Sequence, residues 1–157
     1  MKSGKLMRAA LFVVVCELAG VLGSVFAIPA IPTWYAALNK PWFTPPGWVF
    51  GPVWIILYAL MGIAAYWVWE SKKGRLVPFA KAAFCWQLSF NLYWSLEFFG
   101  IKSIRNGLLD ILALWVTLAI TIVLFWKISR KAALILVPYI IWVSIATALN
   151  FYVWKLN

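Results

Sequence analysis

Hydrophobic positions in this chain gather into five long runs separated by short polar breaks. The runs cover residues 9–28, 48–69, 79–100, 106–126 and 132–153. A helix needs roughly 20 mainly apolar residues to cross about 30 Å of hydrocarbon, and each run meets that length. The pattern predicts an all-α integral membrane protein, with residues 1–157 forming a single bundle of five transmembrane helices. Lys2, Lys5 and Arg8 precede the first run as they would a signal peptide. A signal core is shorter, about 7–15 residues, and ends at a small-residue cleavage site that is not evident here. The first run is read as a retained helix.

Three of the connections are tight: Glu70 to Pro78, Ile101 to Arg105 and Lys127 to Lys131. Short links favour antiparallel neighbours. The segment from Pro29 to Gly47, between helices 1 and 2, is different. Six of the eight prolines stand at 29, 32, 41, 45, 46 and 52, in or just after it. Proline fixes φ and removes a donor, so a stiff, non-helical Pro/Trp-rich loop is expected. Its Trp34, Tyr35, Trp42 and Phe43 suit a lid packed over the helix ends.

Composition narrows the class. Of 157 residues, 66% are hydrophobic and 11% charged, against about 45–50% and 25% in soluble domains. That excludes a soluble globular protein, a disordered chain and a nucleic-acid binder. The net charge of +10 resolves by side. Lys2, Lys5, Arg8, Lys72, Lys73, Arg75, Lys81, Lys127, Arg130 and Lys131 fall on one side, and Lys40, Lys102, Arg105 and Lys155 on the other. The positive-inside rule then puts the N-terminus in the cytoplasm and the Pro/Trp loop outside. There is no His, which removes the commonest metal ligand and general base, and no metal site is expected. Cys16 and Cys85 lie in apolar runs and read as small buried hydrophobes. No internal repeat supports an inverted-repeat transporter.

Ionisable groups at membrane depth are costly unless paired or hydrated. Glu17 lies near the middle of the first run with no base at a matching depth, so it is either a proton or ligand contact or an interhelical hydrogen bond. Asp110 falls in the first turns of helix 4, where the helix dipole favours a negative charge. Glu97 lies near the end of helix 3, within reach of the headgroups. Gln87, Asn91 and Trp94 share one face of helix 3, which should look into the bundle. Trp142, Ala146, Leu149 and Val153 share a face of helix 5 beside Asn150, and Pro138 should kink that helix. In helix 2, Trp54 and Tyr58 are one turn apart. Trp48, Trp69, Trp126 and Trp154 fit an interfacial belt, whereas Trp54, Trp94 and Trp142 lie deeper. Packed aromatic faces suit an apolar planar guest. Gly20 with Ser24, and Gly23 with Ala27, allow close helix approach within the bundle or between protomers. Leu149, Tyr152 and Lys155 fit a weak sterol-binding pattern, though a Tyr and a Lys at a helix end are also ordinary interfacial anchors.

The run from Trp34 to Pro46 (WYAALNKPWFTPP), continuing through GWVFGPVWIILY to Tyr58, resembles the signature of the tryptophan-rich sensory protein family, also called the translocator protein or peripheral benzodiazepine receptor family. Asn91-Leu92-Tyr93-Trp94-Ser95, Asp110 and the block from Pro138 to Trp154 extend the resemblance over essentially the whole chain. The resemblance implies a homodimeric five-helix protein whose first loop covers a pocket inside the bundle. It implies porphyrin ligands such as protoporphyrin IX, with no covalently bound cofactor, and drugs of the isoquinoline-carboxamide and benzodiazepine types. In some lineages it also implies cholesterol or other lipid. Carried onto this chain, the ligand-binding residues are Tyr35, Pro45, Trp54, Asn91, Trp94, Asp110, Trp142 and Ala146. The sterol motif is Leu149, Tyr152 and Lys155. The leading expectation is a membrane receptor or regulator that binds porphyrin. The alternatives are photo-oxidative porphyrin degradation using Trp54 and Trp142, and porphyrin or sterol transport.

Overall fold

The described residues form six α-helices: α1 (Lys2–Ala30), α2 (Gly47–Trp69), α3 (Val77–Ser95), α4 (Ile104–Ile128), α5 (Arg130–Leu134) and α6 (Val137–Leu156). The computed structural model describes residues 2–71 and 74–157, without the side chains of Lys2 and Ser3. Lys72 and Lys73 of the charge count lie outside the described residues, as does the Lys2 side chain. Among the described residues there is no strand. Among those residues four helical segments are long and apolar enough to cross a membrane: Gly4–Tyr35, Gly47–Trp69, Ile104–Ile128 and Arg130–Leu156. The third apolar run is diluted by Lys81, Gln87, Asn91 and Glu97 and does not reach that standard.

Three features depart from the sequence reading. The first helix does not stop at residue 28. It continues through Pro29 into a wide π turn, Ile31–Tyr35, so irregular chain is confined to residues 38–46. Pro29 and Pro32 have no N–H to give to the helical ladder. The chain absorbs the missing rungs by widening, and the Thr33 hydroxyl donates to the Pro29 carbonyl at 2.8 Å. The expected non-helical loop is therefore about half as long as its prolines suggest. The fifth helix is broken rather than kinked: a turn at residues 135–136 divides α5 from α6, and Pro138 sits in the first turn of α6, where its missing donor costs nothing. Cys85 is exposed, not buried, and Cys16 alone lies in the core.

The helices form a ring in which α2 packs on α1, α1 on α3, α3 on α4 and α4 on α6. Edge-to-face contacts of Trp54 with Tyr139 and of Phe50 with Trp142 close the ring between α2 and α6. The core holds Met61, Leu114, Leu118, Phe125, Leu136 and Val143, all fully buried. Arg8 and Glu70, 3.3 Å apart, tie the start of α1 to the end of α2.

The α3–α4 corner is tight. A second π turn, Leu96–Gly100, ends α3, and the Ser103 N–H donates back to the Glu97 carbonyl at 2.9 Å. Lys102 sits between them at φ 62°, the left-handed position that glycine usually holds at a helix end. Lys102→Gly is expected to stabilise the protein by about 0.5–1 kcal/mol, read as a higher thermal midpoint in detergent. An unchanged or lower midpoint would show that Lys102 makes a compensating contact.

Candidate functional site

Buried polar groups inside a bundle must find partners, and here Tyr58, Asn91, Tyr139, Trp94 and Asn150 find one another, while Gln87 Oε1 has no partner among the described residues. The Tyr58 hydroxyl donates to Asn91 Oδ1 at 2.5 Å, and Asn91 Nδ2 donates to the Tyr139 hydroxyl at 2.8 Å. One amide thus joins α2, α3 and α6. Trp94 Nε1 donates to Asn150 Oδ1 at 3.2 Å, linking α3 to α6 again. Gln87, Asn91 and Trp94 are all buried, as their spacing on one face requires. Asn91 is spent on the two tyrosines and lines neither of the two spaces described next.

Aromatic rings cluster just beyond this network. Trp94 lies 6.0 Å from Trp54 and stacks on Phe98, and Tyr35 packs edge-on against Phe98 and Phe99. Phe50, Trp94 and Phe99 form a partition with space on both sides. On the inner side is a void of about 20 Å³ bordered by Tyr35, Ala146, Leu149 and Asn150. This is the region under the first loop that the resemblance marks as the pocket, and side chains nearly fill it. On the outer side is a cavity of about 330 Å³ between α1 and α2, backed by α3. Trp54, Tyr58, Trp94 and Phe99 wall it, with Glu17 at one end and Ile31 at the other. Val21, Ile28 and Ile55 on its rim are exposed, so it opens sideways toward lipid.

The predicted ligand residues are thus divided. Trp54 and Trp94 face the larger cavity, while Tyr35, Trp94 and Ala146 border the smaller one. Trp142 packs on Phe50, and its buried Nε1 has no partner among the described residues. Pro45 lies in the loop, and Asp110, half-buried on α4, borders neither space. In the sterol pattern Leu149 points inward while Tyr152 and Lys155 are exposed, so the three do not share one outer surface. Among the described residues no cluster of His, Cys, Asp and Glu could hold a metal ion.

The loop is held down at its start and over its middle. Lys40 Nζ donates to the carbonyls of Tyr35, Ala36 and Leu38 at 2.7–3.0 Å, crowning the end of the first helix. All three of its protons are engaged, so Lys40 is not free to meet a ligand carboxylate. The Asn39 N–H donates to Asn157 Oδ1, and Asn157 Nδ2 donates to the Asn39 carbonyl, both at 3.0 Å. Phe43 also packs edge-on against Tyr152.

Sequence reasoning did not find the lateral cavity. The signal was present in Gly20, Gly23, Ser24 and Ala27, whose small side chains leave one face of α1 hollow. Gly20 and Gly23 lie against Tyr58 and Ser95 of the same chain, so their close approach is within the bundle.

Comparison with known proteins places the sequence in a family. The TspO/MBR family pattern matches residues 12–155. The chain is 45% identical over 141 residues to the tryptophan-rich protein TspO of Archaeoglobus fulgidus, covering 88% of this chain and 89% of that one. It is 39% identical to the protein CrtK of Rhodobacter capsulatus, covering 94% and 91%. It is also 39% identical to the translocator protein of Homo sapiens, covering 79% and 75%.

Proposed function

The chain belongs to the TspO/MBR family, and from that premise we propose that it is a membrane receptor or regulator that binds a flat apolar ligand of the porphyrin type. The observation that carries this reading is the 330 Å³ lateral cavity, with Trp54 and Trp94 on its wall. Its size falls at the lower end of the range for small-molecule sites, about 300–1,000 Å³. Trp faces supply stacking area, and an opening toward lipid suits a ligand that partitions into the bilayer. Acidic substituents of a porphyrin would lie toward the Ile31 end, since the other end holds Glu17. In the same reading α3 is the fifth membrane span, its polar residues tolerated because Gln87 and Asn91 face inward. The N-terminus is cytoplasmic on the charge count.

Titration of purified protein with protoporphyrin IX in the dark, followed by porphyrin fluorescence, tests the reading. Saturable binding in the micromolar range is expected. Trp54→Leu should weaken it about two- to tenfold, the worth of one aromatic stacking contact. No binding at micromolar concentration would sink the proposal, and binding indifferent to Trp54 would move the site elsewhere.

A further inference from the structure

Glu17 is the one charged residue among those lining the lateral cavity. It lies about 20 Å along α1 from Lys2 at 1.5 Å per residue, near the middle of the membrane. Among the described residues no cation reaches it: the only ion pair there is Arg8–Glu70. The other polar groups beside the cavity are largely committed. The Tyr58 hydroxyl donates to Asn91, and the Ser24 hydroxyl donates to the Val21 carbonyl at 2.7 Å. A carboxyl group at this depth is costly unless it is paired, and the hollow in front of it is lined almost entirely by carbon.

We propose that the lateral cavity is a site for lipophilic amines, with Glu17 as the counter-ion for the ammonium group and Trp54 and Trp94 as the stacking wall for the apolar body. The inference rests on the reading that this cavity is the ligand site, but it does not require a porphyrin there. Charge complementarity selects the occupant. An ammonium beside Glu17 forms a charge-assisted hydrogen bond in a medium of low dielectric constant. A neutral isostere gains less, and a carboxylate is repelled. Access from the bilayer suits an amphiphile whose body already partitions there.

Three probes share one aromatic body: 1-pyrenemethylamine, 1-pyrenemethanol and 1-pyrenecarboxylate. Energy transfer from the protein's tryptophans to pyrene reports binding in detergent micelles. The wild-type protein should bind the amine at least tenfold more tightly than the alcohol and show the weakest binding for the carboxylate. Glu17→Gln, a near-isosteric change, should remove the preference for the amine while leaving alcohol binding unchanged. Ser24→Phe, which fills the cavity from α1, should reduce binding of all three probes. Elution profile and thermal midpoint establish that each variant is folded. Equal amine affinity in the wild-type protein and Glu17→Gln overturns the inference. So does wild-type amine binding by Ser24→Phe. Amine binding that depends on Glu17 without any protoporphyrin IX binding leaves the inference standing and removes the porphyrin reading. Loss of both removes the cavity as a ligand site.

Discussion

Gly62→Leu is expected to abolish recovery of folded protein, and Gly62→Ala to cost about 1–3 kcal/mol, the range for overpacking a tight interface. A Cβ built on Gly62 would lie 2.8 Å from the Phe12 carbonyl oxygen and closer still to the backbone of Val13. At this crossing α1 and α2 meet backbone to backbone, so no side chain can swing aside to make room. Any added atom must push two membrane helices apart, and with them Phe12, which packs on Tyr66 and Trp69. Gly51→Ala is the control, because a Cβ there meets nothing within 4 Å and alanine favours the helix. Size-exclusion profiles and thermal midpoints in mild detergent read both changes. Gly62→Leu protein eluting and melting like the wild type would refute the crossing described here.

Asn91→Leu is the second large effect. It strips the partner from two buried hydroxyls at once, Tyr58 on α2 and Tyr139 on α6. An orphaned buried polar group costs about 1–3 kcal/mol. Membrane measurements temper that, because the unfolded chain in the bilayer also finds partners, so a total loss of about 1–3 kcal/mol is expected. The cycle sharpens the test. In a Tyr58→Phe, Tyr139→Phe background no hydroxyls remain to be orphaned, and Asn91→Leu should then cost at least about 1 kcal/mol less. Equal costs in both backgrounds would show that the hydrogen bonds do not hold the three helices together.

Much of this architecture is legible in the sequence because lipid imposes a simple rule: a span must be long, apolar and helical. The same rule made the inward face of Gln87, Asn91 and Trp94 readable, since amides have no partner in hydrocarbon. What escaped was local chemistry that depends on a neighbour. Pro29 and Pro32 look like the end of a helix until a π turn and the Thr33 hydroxyl take up the missing rungs. Lys40 looks like a free cation until three carbonyls arrive at its ammonium group. Glu17 could be seen as unusual, but what faces it could not, because a cavity is made by residues that are absent from a surface. Gly62 gave no signal of its own, as the backbone it meets lies about 50 residues earlier.

The link between Asn39 and Asn157 spans 118 residues. At about 5–20 residues per second, synthesis separates the two partners by roughly 6–24 s. Through that interval the segment after the first helix has only its local Lys40 crown and lacks its contacts to α6 and Asn157, although α1 and α2 can already cross at Gly62. The cover over the aromatic end of the bundle is therefore set in place only after α6 has been made, so its closure reports that the last helix of the ring has arrived.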